Sequence, residues 1–173
     1  MLKKFLAAVV ILAVGLILFI YSGIYDVAAD SPHSRPVRWV LETTRERSID
    51  RREDEARPPA DLSTPARIQN GAKSYQAMCQ ACHLAPGMET TALHRGLNPA
   101  PPRLAEEEGG APPARLFWIV KHGFKMTAMP AWGKSHSDEE LWDIVAFLQK
   151  LPGMSPEQYE QLTGASSEAG HGH

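Results

Sequence analysis

Cys79-Gln80-Ala81-Cys82-His83 is the stretch on which the interpretation of the whole chain depends, and it contains both of the cysteines. Two thiols at this spacing on one helical turn can each add to a vinyl group on the same edge of a porphyrin. The histidine that follows then lies beneath the ring, where its imidazole can bind the iron. The C-x-x-C-H pattern therefore predicts one covalently attached c-type haem, with Cys79 and Cys82 as attachment sites and His83 as the proximal ligand.

Three other roles for a C-x-x-C pair fit this sequence poorly. A thioredoxin-like redox pair belongs in a βαβ unit, and no such pattern of strands surrounds the motif. A structural zinc site needs a second pair of ligands, and the chain has no further cysteines to supply it. A disulfide between two residues this close on a helix would have poor geometry.

Helical patterns lie on both sides of the motif. A helix is predicted to begin at Pro65 and to lead along one apolar face into Cys79. A shorter helix is predicted over residues 113–121, followed by a glycine. The last helix begins at the capping box Ser137-Asp138-Glu139-Glu140 and ends at Pro152-Gly153. The fold is therefore predicted to be all-α.

The N-terminal segment is predicted to be an uncleaved membrane anchor. Lys3 and Lys4 precede an apolar run over residues 5–20, and little polarity follows as far as Tyr25. A helix over that span would be about 30 Å long, and the lysines predict that the remaining chain is translocated. The alternative is a secretory signal peptide cleaved near residues 27–29, although its apolar segment is usually about 7–15 residues long. Under either interpretation, the chain that follows the N-terminal segment is exported.

A charged helix is predicted between the anchor and the domain, after Ser34 and before Pro58-Pro59. Its apolar stripe has helical spacing and consists of Val37, Val40, Leu41, Thr44, Ser48 and Ile49. One interpretation is a solvated spacer that holds the domain off the bilayer. The other is a docking helix whose stripe, with Trp39, packs on a partner membrane subunit. The near balance of charge signs argues against simple adsorption to anionic lipid.

Residues from about 65 to 152 resemble a class I cytochrome c domain of the single-domain kind that is fused to membrane anchors in bacteria. The resemblance rests on the C-x-x-C-H motif and on a later Met-Pro motif, in that order. In this family the first and last helices cross, and the resemblance implies that Gly71, Tyr75 and Phe147 meet at the crossing.

The segment from Gly123 to Trp132 resembles the methionine loop of that family, in which the residue before Pro-Ala-aromatic is the sixth iron ligand. The resemblance implies that Met129 has this role. Spacing alone does not separate Met129 from Met126, and His122 is a further candidate. A thioether ligand favours the reduced iron and leaves no open site for a substrate.

Further residues are predicted to contact the haem. Pro102-Arg103-Leu104 matches the Pro-x-Leu segment of the family, which implies that the carbonyl of Pro102 accepts a hydrogen bond from His83 and that Leu104 lines the haem wall. Arg103 is a candidate partner for a haem propionate. Trp118 and Trp132 are predicted to pack on the haem, with an ordinary core position as the alternative for each.

The sequence divides into four segments: an anchor (residues 1–29), a charged linker helix (30–62), a cytochrome c domain (63–153) and a tail (154–173) whose composition predicts disorder. The formal net charge of −2 gives no indication of a nucleic-acid partner.

These features predict an electron carrier of a respiratory chain and not an enzyme. It would be a single-pass protein of the inner membrane with its haem domain in the periplasm. Its partners would be redox proteins, such as a quinol oxidoreductase or a dehydrogenase as donor and a terminal oxidase or reductase as acceptor. The alternatives are a cytochrome c subunit of a larger membrane dehydrogenase or oxidase complex, and a haem enzyme or gas sensor with an open sixth site.

Overall fold

The computed structural model describes residues 1–107 and 109–164, and these residues form helices and contain no strand. The prediction of an all-α fold is thus confirmed. The helices are α1 (Leu2–Ser22), α2 (Arg35–Asp50), α3 (Pro65–Met78), α4 (Gln80–His83), α5 (Ala92–Gly96), α6 (Pro113–His122), α7 (Asp138–Leu148) and α8 (Pro156–Thr163), with short 3₁₀ turns at Glu53–Glu55 and Trp132–Lys134. The chain divides into two units, Met1–Pro32 and the residues from His33 onward.

Helix α1 makes up most of the first unit. An 18-residue window of this 21-residue helix has a mean hydropathy of 2.8, and none of the helix residues is buried within the protein. At about 1.5 Å per residue the helix is about 32 Å long, which matches the hydrocarbon core of a bilayer. Among the described helices α1 is long and apolar enough to cross a membrane, a test that a signal sequence near the N-terminus also passes.

The second unit is built on the crossing of α3 and α7. Gly71 lies at the point of contact, where a Cβ atom would come within 2.6 Å of the carbonyl carbon of Asp143 and 2.9 Å of Cβ of Phe147. Beside it the rings of Tyr75 and Phe147 pack with their centroids 5.2 Å apart. The structure therefore brings together the three residues for which the resemblance implied this crossing.

Helix α6 covers the other side of α7. The ring of Phe117 stacks on Trp142 at a centroid distance of 4.1 Å, and Val120 is buried beside them. The capping box predicted at the start of α7 is present, since Ser137 and Glu140 exchange hydrogen bonds between side chain and backbone. Buried apolar residues of α7 and the next turn complete the core: Leu141, Ile144, Val145, Leu148 and Leu151.

The prediction of disorder from residue 154 onward is wrong for the first part of the tail, because residues 156–163 form α8. Ser155 and Gln158 form a capping box at its start, and Pro156 occupies its first turn. Tyr159 is 4% exposed and packs against the rings of Tyr75 and Phe147, which gives this short helix an apolar anchor in the core. The predicted disorder of residues 165–173 lies outside the described residues.

Helix α2 was predicted to belong to a linker that is separate from the domain, but in the structure it packs on the domain. Ile49 is 2% exposed, and the guanidinium of Arg115 on α6 is ion-paired with Glu46, Asp50 and Glu53. The helix ends at Asp50, several residues before the prolines that were expected to close it. One side of the C-terminal half of α2 is thus packed on the domain, so this part of the helix does not belong to a separate linker.

Candidate haem site

The C-x-x-C-H motif forms one tight helical turn. The backbone N–H groups of Cys82 and His83 both donate to the carbonyl of Cys79, at 3.1 and 2.8 Å. Both cysteines are half-buried free thiols. Burial raises the pKa of the Cys79 thiol to about 12, which disfavours the thiolate that a redox-active dithiol would need.

His83 is oriented by the backbone of the following loop. Its Nδ1 lies 2.9 Å from the carbonyl oxygen of Pro102, and this carbonyl can only accept, so Nδ1 carries the proton and donates. The other ring nitrogen, Nε2, is then left without a proton and can bind a metal. Burial lowers the pKa of His83 and so favours the neutral imidazole that a metal ligand must be.

Three other side chains hold the same turn in place. The hydroxyl of Tyr75 donates to the carbonyl of Leu84 at 2.7 Å, and that of Tyr159 donates to Oε1 of Gln80 at 2.6 Å. Nδ1 of His94 donates to the carbonyl of Cys82 at 2.8 Å. His94 and Tyr159 are not among the predicted site residues. Tyr159 lies in the tail whose composition predicted disorder, and no motif in the sequence marks His94.

The loop that carries the candidate sixth ligands is closed by its own hydrogen bonds. The N–H of Phe124 donates to the carbonyl of Met129 at 3.2 Å, and the Thr127 hydroxyl bridges the two residues by donating to the first and accepting from the second. Gly123 permits this closure, because its φ is +58° and a Cβ atom there would lie 2.6 Å from the carbonyl oxygen of Met129.

The three candidates for the sixth ligand differ in where their side chains lie. Met129 is half-buried and packs against the core, whereas Met126 is 99% exposed at the tip of the loop. His122 is exposed, and its ring packs on Trp118 at a centroid distance of 4.9 Å. The geometry therefore favours Met129 over the two alternatives.

The residues predicted to contact the haem divide into two groups. Leu104 and Trp132 are partly buried and pack against the core, as Met129 and Cys79 do. Trp118 lies elsewhere: it lines an open cavity of about 300 Å³ whose other walls are formed by Glu55, Ala56, Arg57, Phe117, Lys121, His122, Asp138 and Trp142. Its contacts thus do not support a role in haem packing. Arg103 donates to the carbonyl of Met88 and pairs with Glu106.

The donor set fits a covalently held haem better than a bare metal ion. Two free thiols on one turn, a neutral imidazole with a fixed Nδ1 proton and a thioether on a closed loop are the groups that such a haem requires. Within residues 1–107 and 109–164, no group of three or more His, Cys, Asp or Glu side chains is arranged to hold a metal ion. The zinc interpretation of the cysteines therefore has no support in the described structure.

Comparison with known proteins agrees with the site. Residues 66–148 match the model of a protein family described as cytochrome C oxidase, cbb3-type, subunit III. This range begins in α3 and ends with α7, so it contains the C-x-x-C-H turn and the Met129 loop but not α1, α2 or α8. No curated protein and no solved structure matches the chain.

Proposed function

We infer the role of this chain from the family to which it belongs: it is a class I c-type cytochrome, which binds haem c covalently and transfers electrons through it. When bound, the haem supplies an iron that alternates between the ferrous and ferric states. We propose that the iron has two protein ligands, His83 and Met129, and that the chain carries out no bond-making chemistry of its own.

The single observation that carries the His/Met proposal is the position of Met129. This thioether packs inward on a loop closed by its own backbone, while Met126 in the same loop is directed to solvent. In the loop after the C-x-x-C-H turn, the carbonyl of Pro102 fixes the ring of His83 so that Nε2 could bind the iron. A metal with two strong axial ligands changes its oxidation state with little rearrangement and excludes small ligands.

Cys79 and Cys82 would hold the porphyrin, and the apolar side chains of Leu104 and Trp132 would exclude water from its faces. Desolvation of this kind, together with a thioether ligand, favours the reduced iron and raises the reduction potential. The hydrogen bond from Nδ1 of His83 acts in the other direction, because it makes the imidazole a stronger donor to the metal.

We infer the location of the chain from α1. Lys3 and Lys4 precede the apolar helix, so the N-terminus would stay in the cytoplasm and the haem domain would face the periplasm of an inner membrane crossed once by the chain. Donors in this setting would be a quinol oxidoreductase or a dehydrogenase, and the acceptor would be a terminal oxidase or reductase. Confinement to the same membrane raises the effective concentration of the partners.

A second candidate is a permanent subunit of a larger membrane complex, and the description of the matching family as an oxidase subunit favours it. The chemistry of the haem site would be the same in both cases. Purification in mild detergent distinguishes the two cases. A mobile carrier is extracted from the membrane without partners, whereas a subunit is extracted together with its partners in stoichiometric amounts.

The test of the ligand set is an optical spectrum of the full-length protein, oxidised and reduced, with and without carbon monoxide. We expect a c-type spectrum that carbon monoxide does not change. The variant Met129→Ala should bind carbon monoxide readily, whereas the matched variant Met126→Ala should behave as the wild type. Carbon monoxide binding by the wild type would instead support an open-site sensor or enzyme. If Met129→Ala still excludes carbon monoxide, the sixth ligand would be Met126 or His122 instead.

A further inference from the structure

Helix α2 has one side that packs on the domain and an opposite side that is open to solvent. Successive residues of an α-helix are about 100° apart, which places Glu46 and Ile49 on one side and Val40 and Leu41 on the other. Ile49 is 2% exposed, whereas Val40 and Leu41 are 52% and 51% exposed. We call the second side the outer face of α2; its members are Val40, Leu41 and Thr44, which are exposed, and Val37, which is half-buried. Trp39 lies on the other side and does not belong to it.

The charges of α2 are divided between the same two sides. Glu46 and Asp50 lie on the side that faces the domain, where Arg115 pairs with both. Arg47 and Arg51 lie seven residues after Val40 and Thr44, so they follow them on the same side, Arg51 as the residue that caps the helix. Neither arginine makes an ion pair with any residue in the described part of the chain. The balance of signs that argued against anionic lipid therefore holds for the helix as a whole but not for this side of it, where an apolar face is followed by two cationic residues.

The position of α2 in the chain limits what can reach this face. Helix α1 ends at Ser22 and α2 begins at Arg35, so the connector of residues 23–34 spans at most about 40 Å when fully extended. An apolar helical face with arginines beside it is the pattern of helices that lie in the interface of a bilayer. The aliphatic stems of such arginines can bury while their guanidinium groups reach the phosphates.

We propose that the outer face of α2 lies on the surface of the membrane that α1 spans, with Val40 and Leu41 at the boundary between headgroups and acyl chains and with Arg47 and Arg51 on anionic headgroups. The proposal rests on the anchoring of α1 in the function proposed above. Since the opposite side of α2 is ion-paired to α6, the haem domain would be held in one orientation at the membrane and would not swing freely on its connector.

The experiment places an environment-sensitive fluorophore on each side of α2 in the full-length protein. Because haem attachment consumes Cys79 and Cys82, an introduced cysteine is the single free thiol. Val40→Cys tests the outer face, and Glu42→Cys is the matched control, two residues away, about 160° around the helix and also exposed. Both variants are incorporated into nanodiscs of phosphatidylcholine with phosphatidylglycerol. Iodide then reports exposure to water, and a lipid with a headgroup-region nitroxide reports contact with the bilayer.

We expect the label at position 40 to be quenched by the nitroxide lipid and to be several-fold less sensitive to iodide than the label at position 42. The difference should decrease when phosphatidylglycerol is omitted or the salt concentration is raised. Equal access of iodide to both labels would overturn the proposal. Shielding at position 40 in native membranes but not in nanodiscs would overturn it in favour of a protein partner.

The optical spectrum of each labelled sample separates this proposal from the function. One outcome is a c-type spectrum that carbon monoxide leaves unchanged, in a protein that fails to incorporate into nanodiscs. That outcome would refute both the anchor and the docking of α2 and would leave the electron-transfer role intact. Conversely, carbon monoxide binding by a protein whose position-40 label is shielded would refute the His/Met ligand set alone.

Discussion

Replacement of Gly71 by alanine tests the close crossing of α3 and α7. An added Cβ atom would lie 2.6 Å from the carbonyl carbon of Asp143 and 2.9 Å from Cβ of Phe147, well inside van der Waals contact. The atoms that it meets belong to the backbone and the first side-chain carbon of α7, so no rotamer change can relieve the overlap and the two helices must separate. Overpacking of a core typically costs about 1–3 kcal/mol, and a clash with backbone places this substitution at the upper end, about 3 kcal/mol.

Part of that cost is offset, because alanine is favoured over glycine in a helix by about 1 kcal/mol. The net loss in the free energy of unfolding is therefore about 2 kcal/mol. With a urea m-value of about 2 kcal/mol per molar, the midpoint should fall by about 1 M. The measurement is urea unfolding of the full-length haem protein in mild detergent, followed by far-ultraviolet circular dichroism.

Gly96→Ala is the matched control, because a Cβ atom at Gly96 meets nothing within 4 Å. Its midpoint should be unchanged or slightly higher, since alanine restricts the unfolded chain. A Gly71→Ala protein with the wild-type midpoint would refute the conclusion that the crossing leaves no space for a side chain.

Two further outcomes can be checked by the same unfolding measurement. Tyr159→Phe keeps the ring but removes the hydrogen bond to Gln80, so we expect a loss of about 1 kcal/mol, and wild-type stability would mean that this bond contributes nothing. The guanidinium of Arg67 lowers the pKa of Asp61, so the stability that this carboxylate provides is present above its unfolded pKa, near 4, and is lost as the pH falls through its lower folded pKa. Unfolding midpoints between pH 3 and pH 6 should therefore fall less steeply toward acid in Asp61→Asn than in the wild type, and identical slopes would contradict the assigned cause.

The parts of the fold that sequence reasoning predicted are those that leave a local pattern. The C-x-x-C-H turn, α3, α6 and the capping box of α7 are each specified by residues that are close in the chain. The contact between His83 and the carbonyl of Pro102 is the one that the family resemblance implied. Met129 packs against the core, and its role as the sixth ligand stays a prediction, which spacing alone had left open.

The parts that were missed depend on contacts between distant residues. Helix α8 is short and polar, and its attachment depends on Tyr159 and Thr163, which are buried, and on Leu162, which packs against the core; no periodicity reveals these contacts. Helix α2 carries charges of both signs, and the sequence does not show that Arg115, more than 60 residues away, takes up the acidic ones. Trp118 illustrates the same limit, because an aromatic residue on an amphipathic helix can face either the cofactor or another cavity.

The contacts of Arg115 and Arg45 connect α2 with the loop that carries Met129. Arg115 lies on α6, and the end of α6 leads through Gly123 directly into the loop that carries Met129. A second link is shorter, since the guanidinium of Arg45 on α2 lies 5.8 Å from the centre of the Phe124 ring in that loop. A change in the position of α2 would thus reach the loop of residues 123–132 by two routes, so the packing of this helix bears on the placement of Met129, the proposed sixth ligand.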